Sequence, residues 1–195
     1  MLVLASTSPT RRKVLEQAGV AHRAIAPGVD EDAAKAAFRA EGLSARDQAD
    51  ALAELKARAG WARSREPTLG CDQTLELESD VFDKPADLAT LRDQLVRLRG
   101  RTHKLHSALV LVEQGEPTWR EVVTATLTMR AFSDAFLDAY VAAEGETLLG
   151  SVGGYQIEGP GVQLFARVAG DHFAILGLPL LGLLEALRLR GLARA

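Results

Sequence analysis

Leu2-Val-Leu-Ala-Ser6-Thr7-Ser8-Pro9-Thr10-Arg11-Arg12-Lys13-Val14-Leu15 opens the chain, and its reading as strand, tight loop and helix decides the fold. Leu2 to Ala5 is an apolar run of the length of a buried strand. Ser8 suits an N-cap and Pro9 the first helical position, while Val14, Leu15 and Ala18 keep helical spacing until Gly19. A strand that runs into a helix N-terminus presents free backbone N–H groups and the hydroxyls of Ser6 and Ser8 at the positive end of the macrodipole, which favours an anion. Arg11, Arg12 and Lys13 are unfavourable there as helix chemistry but make sense around a polyanion, whose phosphate oxygens arginine clamps in bidentate fashion. The spacing leaves open the alternative of three cations on a solvated helix face. With no glycine run and no Gly-Lys-Ser/Thr, the loop is not a P-loop.

A chain of 195 residues that is 47% hydrophobic is long enough to bury a sizeable core, and residues 1–195 are expected to form a single domain. No internal repeat, low-complexity tract or Ser/Pro linker divides it. Cys71 is the only cysteine, which excludes an internal disulfide and a multi-cysteine zinc site and fits a reducing compartment. No secretory pattern follows Leu2 to Ala5 and no apolar run reaches membrane-spanning length, so the expected location is the cytoplasm. A net charge of −3 argues against a general nucleic-acid surface while permitting a local basic pocket.

Further along, a short strand around Ala24 and Ile25 leads to Asp30, Glu31 and Asp32. This self-repelling run suits either a hard divalent cation or the first turn of a helix. Ser44 begins a helix with a capping box to Asp47 and an expected buried stripe of Leu52, Leu55 and Ala59, with Lys56 at its edge. Thr68 to Leu77 reads as a strand interrupted by Asp72 and Gln73. Asp72, just after the small residues Gly70 and Cys71, is a candidate buried acid in need of a partner. Lys84-Pro85 precedes a helix capped by Asp87 with Leu88, Leu91, Leu95 and Leu98 on one face. Two long strands then flank Glu113 to Glu116, and Ser133 caps a helix through Tyr140. The glycine-rich stretch Gly150 to Gly161, which carries Tyr155, Gln156 and Glu158, suits a loop where backbone meets a ligand. A leucine-rich last helix follows Gly177-Leu-Pro179.

Leu-Ala-Ser-Thr-Ser-Pro-Thr-Arg-Arg at the start, Val29-Asp30-Glu31, Leu52-Ala-Glu-Leu-Lys56-Ala, Gly70-Cys-Asp72-Gln73, Lys84-Pro85, Gly100-Arg-Thr-His103, Gly153-Gly-Tyr155-Gln-Ile-Glu158-Gly and Gly177-Leu-Pro179 occur in this order, and the arrangement resembles Maf-like proteins over nearly the whole chain. The resemblance implies an α/β fold with a mixed central sheet, flanking helices and two lobes around a cleft. It also implies a nucleoside triphosphate pyrophosphatase that releases the monophosphate and pyrophosphate, uses a divalent metal (Mg²⁺ or Mn²⁺) and clears modified nucleotides. Its partner is then a nucleoside triphosphate rather than a nucleic-acid polymer or a membrane, with a homodimer left open.

By the same resemblance, Asp72 is the catalytic proton acceptor, Ser6, Ser8, Arg11, Arg12, Lys56 and Lys84 are phosphate-side residues, and Asp30 and Glu31 anchor the metal together with Asp72. Gln73 and Glu158 resemble the 7-methyl-GTP branch, whereas Thr10 stands where that branch usually carries a bulky aromatic that could stack on a base. The rival is a non-catalytic nucleotide-binding regulator of cell division, since the family has been linked to division arrest. A pure binder has no use for Asp72 beside a separate acidic pair, because carboxylates weaken phosphate affinity unless a metal intervenes.

Overall fold

In the computed structural model, which describes residues 1–194, the opening stretch folds as read. Strand β1 (Leu2–Ala5) runs into helix α1 (Pro9–Gln17), with the Ser8 side chain accepting from the Arg11 N–H and Pro9 in the first turn. Strands β2 (His22–Ile25) and β3 (Thr68–Leu77) flank β1 in parallel. The β4 strand (Asp80–Phe82) pairs antiparallel with β3. With β5 (Thr102–Glu113), β6 (Glu116–Met129) and β7 (Phe165–Ala169) they form a mixed seven-stranded sheet in the order β2-β1-β3-β5-β6-β7, with β4 bonded to β3. The two-residue turn between β5 and β6 is made by Gln114 and Gly115, both at positive φ, as a hairpin that follows strand twist requires. Helices α2 (Glu31–Ala40), α3 (Ala45–Ser64), α4 (Leu88–Leu98), α5 (Asp134–Glu144), α6 (His172–Ile175) and α7 (Leu180–Arg188) fill the connections. No helix among the described residues is long and apolar enough to cross a membrane.

The chain divides into two compact units. The first comprises Met1–Gln73, His106–Val123 and the stretch from Asp171; the second comprises Thr74–Leu105 and Thr124–Gly170. In the first unit, strand alternation gives the sheet two different faces. On one face, Leu2, Leu4, Leu69, Cys71, Leu109 and Leu111 pack with Val14 and Leu15 of α1 and with Leu180, Leu183 and Leu187 of α7. On the other, Ala108, Val110 and Val112 meet Ala49, Ala53 and Ala57 of α3.

The second face corrects the stripe expected on α3. Leu52 is buried, but Leu55 is 38% exposed and Ala59 only partly covered, while Lys56 lies on the buried side with Ala49, Ala53, Ala57 and Gly60. The reason is distance. A Cβ on Gly70 would stand 2.0 Å from the Ala53 carbonyl oxygen, and one on Gly60 would stand 2.9 Å from the Ala5 Cβ. A helix seated this close to a strand admits only small side chains along its contact line, so the leucine turns outward.

In the second unit, Leu91, Leu95 and Leu98 of α4 are buried as expected, whereas Leu88 is 39% exposed on the first turn. The glycine-rich stretch also departs from the expectation of a loose loop, because Gly153, Gly154 and Tyr155 are buried. A Cβ on Gly154 would lie 1.8 Å from Leu91 Cδ1, and one on Gly153 would lie 2.5 Å from Leu75 Cδ1. These glycines serve close packing at positive φ rather than flexibility. Beside them, His103 Nε2 and the Tyr155 hydroxyl are 2.7 Å apart, and burial pushes the His103 imidazole down to about 4.

Candidate active site

Strand β3 outruns β1, whose last partner on it is Gly70, opposite Ala5. Two residues beyond, Asp72 projects on the same side as Gly70, toward α3. There Lys56 Nζ stands 2.7 Å from Asp72 Oδ1 and 2.9 Å from Glu31 Oε2. The side chains of Lys56 and Asp72 are only 6% and 9% exposed, whereas that of Glu31 is 38% exposed. Gly70 is what lets the helix carrying Lys56 approach the strand carrying Asp72. Burying an ammonium is tolerable because two carboxylates compensate it, and one carboxylate opens toward solvent.

The acidic run splits between its two readings. Asp30 caps α2, with Oδ1 accepting from the Ala33 N–H at 3.0 Å, and Asp32 sits exposed in the first turn, so both fit helix-terminus chemistry. Glu31, between them, turns to Lys56.

At the opening loop, Arg11 is anchored by protein acceptors. Its Nε donates to the Gly177 carbonyl at 2.9 Å, and Nη1 donates to the Cys71 carbonyl at 3.1 Å and to Ser6 Oγ at 3.4 Å. Nη2 makes no hydrogen bond among the described residues. A guanidinium fixed at two of its nitrogens with the third free is pre-organised for an anionic oxygen. Ser6, buried, also accepts from the Ser8 N–H at 3.2 Å. Arg12 and Lys13 are exposed in α1, and Thr10 is half-buried there. The Cys71 thiol is pushed up to about 11 by burial and is inert at neutral pH; its backbone carbonyl is what serves Arg11.

Gln73 lies on the leucine face, opposite Asp72. Its Nε2 donates to Ser107 Oγ at 2.8 Å and to the carbonyls of Ala174 and Ile175 at 3.0 and 3.1 Å. Lys84 and Glu158 belong to the second unit; Lys84 is exposed just after β4 and Glu158 is exposed on a turn. Thus Ser6, Ser8 and Arg11 form one group, and Glu31, Lys56 and Asp72 another. Sequence reasoning missed Ser107 and the carbonyls of Cys71 and Gly177. Ser107 had a signal, a hydroxyl within the apolar run Leu105 to Val112. The carbonyls had none.

No group of three or more His, Cys, Asp or Glu side chains that could hold a metal occurs among the described residues. The donor set nevertheless fits a hard divalent cation. Mg²⁺ needs only one or two carboxylates when substrate phosphates complete its shell, and Asp72 and Glu31 already converge on one positive charge.

The fold and this arrangement define an α/β protein with an anion-directed loop and a helix lysine shared between a carboxylate of β3, just past its pairing with β1, and one at the start of α2. The family model described as Maf-like protein matches residues 1–190. A nucleoside triphosphate pyrophosphatase of Caulobacter vibrioides is 53% identical over 97% of this chain and 96% of its own length. A nucleoside triphosphate pyrophosphatase of Hyphomonas neptunium is 48% identical over 97% and 96%. A 7-methyl-GTP pyrophosphatase of Rhizobium meliloti is 48% identical over 96% and 95%. The chain belongs to the Maf-like family.

Proposed function

We propose that this chain is a nucleoside triphosphate pyrophosphatase that cleaves between the α- and β-phosphates, in the cytoplasm, releasing a nucleoside monophosphate and pyrophosphate. The observation that carries the reading is the buried Lys56 held between Asp72 and Glu31, in the same unit as a pre-anchored Arg11 with an unspent Nη2. The names borne by the relatives from C. vibrioides and R. meliloti support it.

Asp72 takes the proton of the attacking water, a role suited to a carboxylate whose second oxygen remains available. Lys56 holds Asp72 in place and offers its remaining proton to a phosphate oxygen. Arg11 and Arg12 hold the triphosphate, with Ser6 and Ser8 orienting the loop around it. Asp72 and Glu31, with Asp30 next to Glu31 in the sequence, would hold Mg²⁺ or Mn²⁺, which when bound neutralises charge on the phosphate oxygens. Lys84 keeps the phosphate-side role implied by its motif, and Glu158 is assigned to guanine-type bases, whose N1 and N2 donors suit an acceptor-only carboxylate.

Product analysis tests the reading. Pyrophosphate and monophosphate are expected in equal amounts, and Asp72→Asn should lower turnover at least about a hundredfold while the fold persists. Orthophosphate as the product, or nucleotide binding without turnover, would replace this reading with a terminal phosphatase or a non-catalytic regulator. For Glu158→Gln, the preference for 7-methyl-GTP and GTP over dTTP and UTP, expected at about tenfold, should narrow.

A further inference from the structure

We propose that Gln73, together with Ser107, is a positioning residue that fixes Arg11; the inference rests on the pyrophosphatase reading for its catalytic consequence. The Gln73 amide faces two carbonyl oxygens, those of Ala174 and Ile175, and carbonyls only accept. The NH₂ end must therefore point at them. Its remaining contact, Ser107 Oγ, spends its own proton on the Ala174 carbonyl at 2.6 Å and so accepts from Gln73. Both amide hydrogens are consumed inside the protein, leaving only Oε1, an acceptor, for a substrate.

What these bonds hold is the segment that carries the Arg11 anchor. Asp171 caps α6 through the Ala174 N–H at 2.7 Å, and the Gly177 N–H closes the following turn onto the Ala174 carbonyl at 2.9 Å. Gly177, at φ 83°, then directs its own carbonyl to Arg11 Nε. A Cβ at Gly177 would lie 3.3 Å from that guanidinium, so the arginine is seated directly on the turn. On β3, the Cys71 carbonyl holds Arg11 Nη1. Strand β3 and the α6–Gly177 segment are thus tied twice: by Arg11 at Cys71, and by Gln73 two residues further on. The second tie sets the geometry of the first. Without it, the Gly177 carbonyl loses its fixed place and the free Nη2 of Arg11 loses its aim.

Two measurements on Gln73→Met and Ser107→Ala decide the matter. The first follows the Arg11 Nε–H resonance by ¹⁵N NMR in nucleotide-free protein. Its hydrogen exchange should be slow in the parent and about tenfold or more faster in Gln73→Met, with a smaller change in the same direction for Ser107→Ala. The second follows kcat/KM, expected to fall roughly ten- to a hundredfold for Gln73→Met, the scale of a misplaced binding group. In an Arg11→Ala background the same change should cost about threefold or less, because a residue that acts through Arg11 has nothing left to act on. An unchanged Arg11 resonance, or effects that multiply in the double variant, would each overturn the proposal. Ser107→Ala, a single-atom deletion, keeps the test open if Gln73→Met does not fold. If the parent releases no pyrophosphate, the pyrophosphatase reading fails, while the resonance still decides whether Gln73 fixes Arg11.

Discussion

The two faces of the sheet in the first unit are built on different terms. The face toward α1 and α7 is leucine against leucine, with Leu2, Leu4, Leu69, Leu109 and Leu111 meeting Leu15, Leu180, Leu183 and Leu187. The face toward α3 is alanine, glycine and valine, with Ala49, Ala53 and Ala57 over Ala108, Val110 and Val112. A leucine face stabilises by the apolar area it removes from water. An alanine–glycine face removes less, but it brings a helix backbone nearly onto a strand, and close approach places one side chain against another to within tenths of an ångström. The buried Lys56–Asp72 pair is on the thin face. Asp72 and Lys56 meet where Gly70 abuts Ala53 and Ala57, so the stability of the unit and the precision of its site draw on opposite sides of the same strand.

Three substitutions would sharpen or break this contrast. The largest effect is expected for Gly70→Ala. The added Cβ meets backbone rather than a movable side chain, and the cost should exceed the usual 1 to 3 kcal/mol of overpacking, at about 3 kcal/mol or more, with turnover lost as Lys56 is displaced. Denaturant unfolding and pyrophosphate release measure the two parts; a stable and active variant would show that α3 is not held against β3. Close behind comes Lys56→Met, which removes the cation paired with the buried Asp72 and should cost about 3 kcal/mol, the lower end of breaking a buried pair. Stability restored by adding Asp72→Asn would confirm that the loss is electrostatic. On the leucine face, Leu69→Ala should cost roughly 2 to 3 kcal/mol through transfer and cavity terms, yet leave kcat/KM of the folded protein within a few-fold. A collapse of activity there would mean that the faces are not separable.

The smallest effect divides the loop cations. Arg12 is exposed near a helix N-terminus, so Arg12→Ala should leave the melting temperature unchanged or raise stability by a few tenths of a kcal/mol while weakening triphosphate binding. Arg11 is bonded to two carbonyls and a hydroxyl, and Arg11→Ala should instead destabilise by about 1 to 3 kcal/mol. Equal melting temperatures for the two variants would remove the distinction.

The strand–loop–helix opening, the Ser44 and Asp87 caps and the β5–β6 hairpin were legible because each is a local decision, taken by residues within one turn of each other. The stripe on α3 was misread because periodicity ranks leucine above alanine, and only the approach of Gly70 from another element reverses that ranking. Asp72 could be singled out as an acid in need of a partner, and Lys56 as a lysine near an apolar face, but their pairing is a property of packing. Glu31 was set apart from Asp32 only by the resemblance and was not told apart from Asp30, since adjacent carboxylates look alike until the helix direction is set. Gln73 and Asp72 are sequence neighbours that the strand sends to opposite sides, and nothing in the dipeptide says what each side will hold.

The two anchors of the site also close over very different stretches of chain. Lys56 and Asp72 are 16 residues apart, whereas Arg11 and Gly177 are 166 apart. Loop-closure entropy grows with the logarithm of that separation, so the arginine anchor costs about 2 kcal/mol more to close from the unfolded chain. Contacts of low sequence separation form first. During synthesis, Lys56 and its carboxylates leave the ribosome before the turn that seats Arg11. The Lys56–Asp72 pair can therefore close before the Arg11 anchor, which waits on the turn at Gly177.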